Sequence, residues 1–119
     1  MTMIPHSEPS LGQDDIRAAT EVLRSGLIAG GPVVGQFERG MAAYLGVQGG
    51  VAVNSGTVAL ELALRAMGVG HGDNVILPSY VCPAPWLAVQ RVGAQARIVD
   101  IDPATYNLDP YKVLKARTS

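Results

Sequence analysis

The sequence has a single cysteine, Cys82, among its 119 residues. One thiol excludes an intramolecular disulfide and every metal site that needs paired cysteines. An excess of charge of one sign is also missing, because nine Lys and Arg residues face ten Asp and Glu residues, for a formal net charge of −1. Without a basic surface to neutralise phosphates, the chain is not expected to bind nucleic acid.

Long apolar runs and targeting signals are absent as well. No stretch approaches the roughly 20 apolar residues that a transmembrane helix needs, so no membrane partner is expected. The first residues, Met-Thr-Met-Ile-Pro-His-Ser-Glu, lack the basic region and apolar segment of a signal peptide. These absences predict a cytoplasmic protein.

Apolar residues and glycine are abundant. Hydrophobic residues make up 48% of the chain and glycine contributes 14 residues, which is typical of a globular domain with many tight turns. Residues 1–12 are expected to be extended, because Pro5 and Pro9 oppose regular structure. The remaining pattern predicts helices at about 14–25, 33–45, 57–67, 83–92 and 111–116, and strands at 51–53, 75–77 and 97–100.

Strands and helices alternate from residue 51 onward. The strands are short apolar runs without polar alternation, which is typical of parallel strands covered on both faces. The sequence therefore predicts an α/β layered domain with right-handed crossovers.

The most informative junction is Val51-Ala-Val-Asn-Ser-Gly-Thr57, where a predicted strand meets a predicted helix through a small polar turn. The amides of Ser55, Gly56 and Thr57 are candidate donors to a phosphate, since a helix N-terminus leaves such groups without partners. Ser55 or Thr57 could equally cap the helix, and the local sequence taken alone favours capping.

Other polar residues are given structural roles. Asp100 and Asp102 lie at the end of a predicted strand, and the pair is expected to cap the next turn. Cys82 is expected to pack as a small hydrophobe rather than to act as a nucleophile. His6 and His71 are expected to be solvated loop residues.

Taken in order, several segments resemble the N-terminal part of the DegT/DnrJ/StrS family of sugar aminotransferases, which depend on pyridoxal 5'-phosphate (PLP). The matching stretches are Ile4-Pro-His-Ser-Glu-Pro-Ser10, Val22-Leu-Arg-Ser-Gly26, Gly31-Pro32, Phe37-Glu38, Tyr44-Leu-Gly46, Val51-Ala-Val-Asn-Ser-Gly-Thr57, Gly72-Asp-Asn-Val-Ile-Leu-Pro-Ser79, Val92-Gly-Ala94, Val99-Asp-Ile-Asp-Pro103 and Tyr106-Asn-Leu-Asp-Pro110. Each piece is weak alone, but their order and spacing agree over about residues 4–110.

The resemblance implies a fold. The chain would be the N-terminal part of a single fold type I large domain, an incomplete three-layer α/β unit with a mainly parallel sheet. Residues 1–32 would form an arm, a helix and a loop, and residues 33–119 would begin the α/β core. The strand at 51–53 would lack its neighbours, whereas those at 75–77 and 97–101 could still pair.

The resemblance also implies a cofactor site. Ser55, Gly56 and Thr57 would hold the PLP phosphate, and Cys82 takes the position at which the family has an aromatic residue stacked on the pyridine ring. No residue is assigned a catalytic role, because Lys112 and Lys115, the lysines of the chain, match no family lysine motif.

A function follows from the resemblance. The parent enzyme would be a homodimer that moves an amino group, commonly from glutamate, onto a keto sugar attached to a nucleotide. The 119-residue chain alone is expected to be inactive. The alternatives are a non-catalytic truncated or degenerate chain, a small phosphate-binding α/β module, and a dehydratase, since some family members are dehydratases.

Overall fold

The structure, a computed structural model, describes residues 6–117. It contains the following elements: α1 (Gln13–Ser25), α2 (Pro32–Leu45), α3 (Gly56–Ala66), β1 (Asn74–Pro78), α4 (Ala84–Arg91), β2 (Gln95–Val99) and α5 (Pro110–Ala116). The chain divides into two compact units between Ala52 and Val53. Of the expected extended segment 1–12, residues 1–5 lie outside the described residues, and residues 7–12 form neither helix nor strand.

The first unit contains α1 and α2, and glycines end both helices. Gly26 and Gly46 have φ angles of 73° and 68°, a left-handed conformation that glycine adopts at little steric cost. The N1 position of α2 is occupied by Pro32, where its missing amide hydrogen costs no helical bond. The predicted ends of these helices are therefore confirmed to within about one residue.

The predicted strand at 51–53 does not form. The Ala52 amide instead donates to Oε1 of Glu38 on α2, at 2.8 Å. Val51 is 79% exposed. A single apolar run becomes a strand only where a neighbouring strand accepts its ladder hydrogen bonds, and the described residues provide no such neighbour for it.

The second unit is built around a two-stranded parallel sheet. Strand β1 pairs with β2 from Asn74 opposite Gln95 to Pro78 opposite Val99, and α4 forms the crossover between the strands. This pairing confirms that the two later predicted strands join each other. Neither strand has a second neighbour among residues 6–117.

The core of this unit lies between the sheet and α4. It consists of four buried residues with partly buried apolar residues packed against them: Leu77, Val89, Val92 and Ala94, with Leu64, Val69, Val75 and Ala96. Arg97, which belongs to the opposite side of the pleat, donates from Nη1 to the backbone oxygen of Ala116 at 2.8 Å. Helices thus cover both faces of the sheet in part, which gives a three-layer arrangement.

Many apolar side chains remain outside this core. Phe37 and Tyr44 of α2 are 59% and 84% exposed, and Ile98 of β2 is 57% exposed. Monomeric proteins rarely leave so much apolar surface in water. Among the described residues, apolar faces and both outer edges of the sheet are therefore left uncovered.

No described helix combines the length and the apolar character that crossing a bilayer would require.

Candidate functional site

The polar turn at the start of α3 is open to solvent. Ser55 has an extended backbone, and its Oγ accepts a hydrogen bond from the Val58 amide at 3.3 Å. The predicted capping role of Ser55 is therefore present. The Ala59 amide bonds to the Ser55 carbonyl at 3.1 Å, so the amides of Gly56 and Thr57 are the first-turn donors with no acceptor inside the helix.

The donor set of this turn suits a phosphate. A Cβ added at Gly56 would meet no heavy atom within 4 Å, so a ligand can approach the backbone there. The first turn of α3 carries no acidic residue that would repel an anion. The free amides, the hydroxyls of Ser55 and Thr57 and the positive end of the helix dipole all favour a bound anion.

The direction of α3 follows from contacts at its last turn. The Glu61 carboxylate pairs with Arg65 at 3.0 Å and with Arg91, the last residue of α4, at 3.5 Å. Arg65 also donates to the Arg91 carbonyl at 2.9 Å. Since the last turns of α3 and α4 meet and the two helices pack together, both run the same way. The turn at Gly56 therefore lies toward the end of the unit at which α4 begins.

That end is also the carboxyl edge of the sheet, where ligand sites of α/β proteins commonly form. Strand β1 ends at Pro78, and α4 begins at Ala84. The connecting segment contains Cys82, which is exposed. The expectation that Cys82 packs as a hydrophobe is therefore wrong, because the segment that carries it lies at the surface, outside the packed core.

A polar cluster fixes the start of this connecting segment. The Ser79 amide donates to the Val99 carbonyl at 2.8 Å, and its hydroxyl donates to Oδ1 of Asp100 at 2.9 Å. The Ile101 amide also donates to Asp100 Oδ1, at 3.0 Å. Lys112 on α5 places Nζ 3.4 Å from Asp100 Oδ2.

The cluster stabilises the ionised form of Asp100. The Ser79 hydrogen bond lowers the pKa of this carboxyl most, followed by the charge of Lys112 and the Ile101 amide. The predicted capping of the next turn is confirmed for Asp102, whose Oδ1 accepts from the Ala104 amide at 2.7 Å. Asp100 instead links β1, β2 and α5 through its contacts with Ser79 and Lys112.

Two aromatic residues at this edge are not among the site residues predicted from the sequence. The rings of Tyr80 and Tyr106 have centroids 5.9 Å apart and planes tilted by 49°. Tyr80 was recognisable as the residue that follows a strand end. Nothing in the local sequence indicates its pairing with Tyr106, because that contact depends on the loop beyond β2.

The first unit has a cavity of about 440 Å³ between α1, the connecting loop at residues 26–31 and α2. Its lining is mostly apolar and includes Val22, Leu27, Ile28 and Val34. It contains none of the residues predicted to bind the cofactor phosphate.

Comparison with known sequences places the chain among aminotransferases. The sequence model of the DegT/DnrJ/EryC1/StrS aminotransferase family matches residues 9–119. The chain is 43% identical over 115 residues to the spore coat polysaccharide biosynthesis protein SpsC of Bacillus subtilis, covering 97% of this chain and 30% of that protein. It is 51% identical over 89 residues to 3-amino-5-hydroxybenzoate synthase of Amycolatopsis mediterranei, covering 75% of this chain and 23% of the synthase.

Solved structures give the same result. The proposed sugar aminotransferase Spr1654 of Streptococcus pneumoniae, known in PLP and PMP forms, is 37% identical, with a TM-score of 0.87 over 95% of this chain. GDP-4-keto-6-deoxymannose-3-dehydratase with bound GDP-perosamine is 27% identical, with a TM-score of 0.83 over 94% of this chain. The chain spans between 23% and 31% of the length of these relatives. This likeness confirms the predicted architecture, an incomplete α/β domain of fold type I.

Proposed function

Because the chain belongs to the DegT/DnrJ/EryC1/StrS aminotransferase family, we propose that it provides the phosphate-binding part of a PLP-dependent aminotransferase. The observation that carries the proposal is the open turn Ser55–Thr57 at the start of α3. The PLP and PMP forms of the Streptococcus pneumoniae protein support PLP as the cofactor.

In this proposal the turn binds the cofactor phosphate. The amides of Gly56 and Thr57 donate to its oxygens, and the hydroxyls of Ser55 and Thr57 add further donors. PLP, when bound, supplies an electron sink for chemistry at the amine-bearing carbon. The role of this chain is to hold and orient the cofactor, with Cys82 beyond β1 near the ring.

The chain's lysines do not take the catalytic role in this proposal. Lys112 is engaged by Asp100 and lies 3.8 Å from the Asp109 carboxylate. Both Lys112 and Lys115 belong to α5, which packs against β2. We therefore propose that the 119-residue chain is inactive alone.

The proposed substrate of the complete enzyme is a keto sugar attached to a nucleotide, with an amino acid as amino donor. Support comes from the polysaccharide role named for SpsC and from the nucleotide sugar bound to the dehydratase relative. A homodimeric enzyme is a further prediction from the family resemblance, and a cytoplasmic location remains a prediction from the sequence.

A free-standing phosphate-binding module is the second candidate, and the open turn at Gly56 favours it to the same degree. The exposed apolar surface argues against it, since Phe37, Tyr44 and Ile98 would all remain in water. A module that functions alone would cover such side chains.

Binding of pyridoxamine 5'-phosphate to the purified chain tests the phosphate site. This ligand carries the phosphate and the ring, and its amine does not condense with lysine. Calorimetry should show binding that weakens at least about tenfold in Gly56→Asp, because a carboxylate would replace an open approach with charge repulsion. Gly49→Asp is the matched control, since a Cβ at Gly49 also meets no heavy atom within 4 Å.

Equal weakening in the two variants would contradict a phosphate site at the turn. Conversion of glutamate to 2-oxoglutarate by the pure chain with PLP would contradict its proposed inactivity.

A further inference from the structure

The sheet of the second unit has two open edges within residues 6–117, because β1 and β2 pair only with each other there. An open edge presents backbone amides and carbonyls without partners, and such groups form a template for a further strand. Proteins commonly protect their edges with charged side chains or with proline. The two edges of this sheet differ in that protection.

The pairing with β2 shows which backbone groups of β1 face the open edge. The Ser79 amide, one residue past β1, donates to the Val99 carbonyl at 2.8 Å. Since the residues of a strand bond to a given neighbour alternately, the odd-numbered residues of β1 direct their backbone groups to β2. Asn74, Ile76 and Pro78 therefore direct theirs to the open edge.

These outward groups of β1 are complementary to themselves. When a second copy of the strand lies antiparallel with Ile76 opposite Ile76, the two isoleucines exchange both of their backbone hydrogen bonds. Asn74 then lies opposite Pro78 of the other copy, and its amide donates to the proline carbonyl. Among the outward groups only the Asn74 carbonyl stays without a partner, because proline has no amide hydrogen to donate.

The side chains of β1 also allow this pairing. The strand reads Asn-Val-Ile-Leu-Pro and contains no charged residue. Val75 would lie opposite Leu77 of the second copy, which is a favourable apolar cross-strand pair. The edge of β2 differs, because a centred pairing of that strand with itself would set Arg97 directly opposite a second Arg97. Like charges placed opposite each other destabilise a sheet.

We propose that the outer edge of β1 is an interaction surface for a second copy of this chain. The two copies pair antiparallel through Asn74–Pro78 and join their sheets into one. Such a contact has two-fold symmetry and closes at two copies. The inference goes beyond the proposed function and does not depend on it, since the contact uses no residue of the turn Ser55–Thr57.

Two measurements on the unchanged 119-residue chain test the contact. In sedimentation equilibrium, the average mass should rise with protein concentration from that of one chain toward that of two, and no further. Hydrogen exchange followed by NMR locates the contact. The Ile76 amide should exchange more slowly as the concentration rises, whereas the amides of Ala96 and Ile98, which face the open edge of β2, should be unaffected.

Substitutions at Asn74 separate the backbone bonds from the side chain. Asn74→Pro removes an outward amide at the first position of the strand, where proline is tolerated. Asn74→Ala is the matched control, because both variants lose the Oδ1 atom that accepts from Nε of Arg97 but only the proline loses the amide. The dissociation constant of the dimer should be at least about fivefold higher for Asn74→Pro than for Asn74→Ala.

Circular dichroism shows whether both variants are folded, and if Asn74→Pro is not, the exchange of Ile76 in the unchanged chain decides the question. A chain that stays monomeric at millimolar concentration would overturn the proposal, as would equal dissociation constants in the two folded variants. Protection at Ala96 and Ile98 in place of Ile76 would assign the association to the other edge. Growth beyond two copies would contradict a closed pair.

Discussion

The Nζ atom of Lys112 lies 3.4 Å from Oδ2 of Asp100, so the last helix is tied to the residue that follows β2. The same carboxylate accepts from the Ser79 hydroxyl at the end of β1. One exposed side chain thereby links three elements at the edge that carries the candidate site.

This link predicts a pH dependence in the acid range. Its contacts lower the pKa of Asp100 from its ordinary value of 3.8. A carboxyl with a lowered pKa in the folded state contributes stability that is complete above its unfolded pKa and is lost as the pH falls through the folded value. We therefore expect α5 to loosen as the pH falls below about 4, with hydrogen exchange of its amides rising.

Asp100→Asn provides the control, because an amide does not titrate in this range. Its α5 should exchange faster than that of the unchanged chain at pH 7 and should show no acid transition of its own. The same acid transition in both proteins would show that another group is responsible.

The conformation and surroundings of Gly93 predict that a side chain at this position destabilises the fold. Its φ is +80°, and a Cβ there would lie 2.8 Å from Nε2 of His71. Gly93→Ala should therefore suffer both backbone strain, about 1–2 kcal/mol, and a clash. Gly72→Ala is the matched control, since its φ is +92° but its Cβ would meet no heavy atom within 4 Å.

Urea unfolding followed by circular dichroism measures both variants. Gly93→Ala should be the less stable, and adding His71→Ala to it should recover the difference from Gly72→Ala. Equal stability of the two single variants would show that the His71 side chain moves away at no cost.

The predicted strand at 51–53 shows why part of the fold escapes the sequence. Val51-Ala-Val53 has the composition of a buried strand, as do the apolar runs that became β1 and β2. The latter two have each other as partners, and the first has none. Composition reports the tendency of a segment, whereas a strand also depends on residues that are distant in sequence.

Helices were more predictable because their signals are local. Asp109 caps α5 by accepting from the Tyr111 amide at 2.9 Å, and Pro110 occupies the first helical position, which agrees with the helix predicted at about 111–116. The family was likewise predictable from the ordered motifs, and the match over residues 9–119 confirms it. The Tyr80–Tyr106 contact was not, because no spacing rule connects a strand end to a loop some 25 residues later.

Alanine substitutions at Val89 and Val51 compare a valine that is packed in the core with one that is not. Val89 on α4 is 1% exposed, whereas Val51 is 79% exposed. Val89→Ala should cost about 2 kcal/mol through lost burial and a small cavity, and Val51→Ala should leave the unfolding free energy within about 0.5 kcal/mol of the original.

Chemical denaturation gives both values, provided that the slope of the transition is unchanged. A similar loss in both variants would mean that residues 51–53 are packed in solution, as the strand predicted from the sequence would require.

The pairing of Asn74 with Gln95 has a consequence for synthesis. Paired residues of β1 and β2 are only about 20 positions apart, and α4 fills the interval, so closing this loop costs little chain entropy. The pairing can therefore form as soon as β2 has been synthesised, because β1 and the crossover helix α4 precede it in the chain.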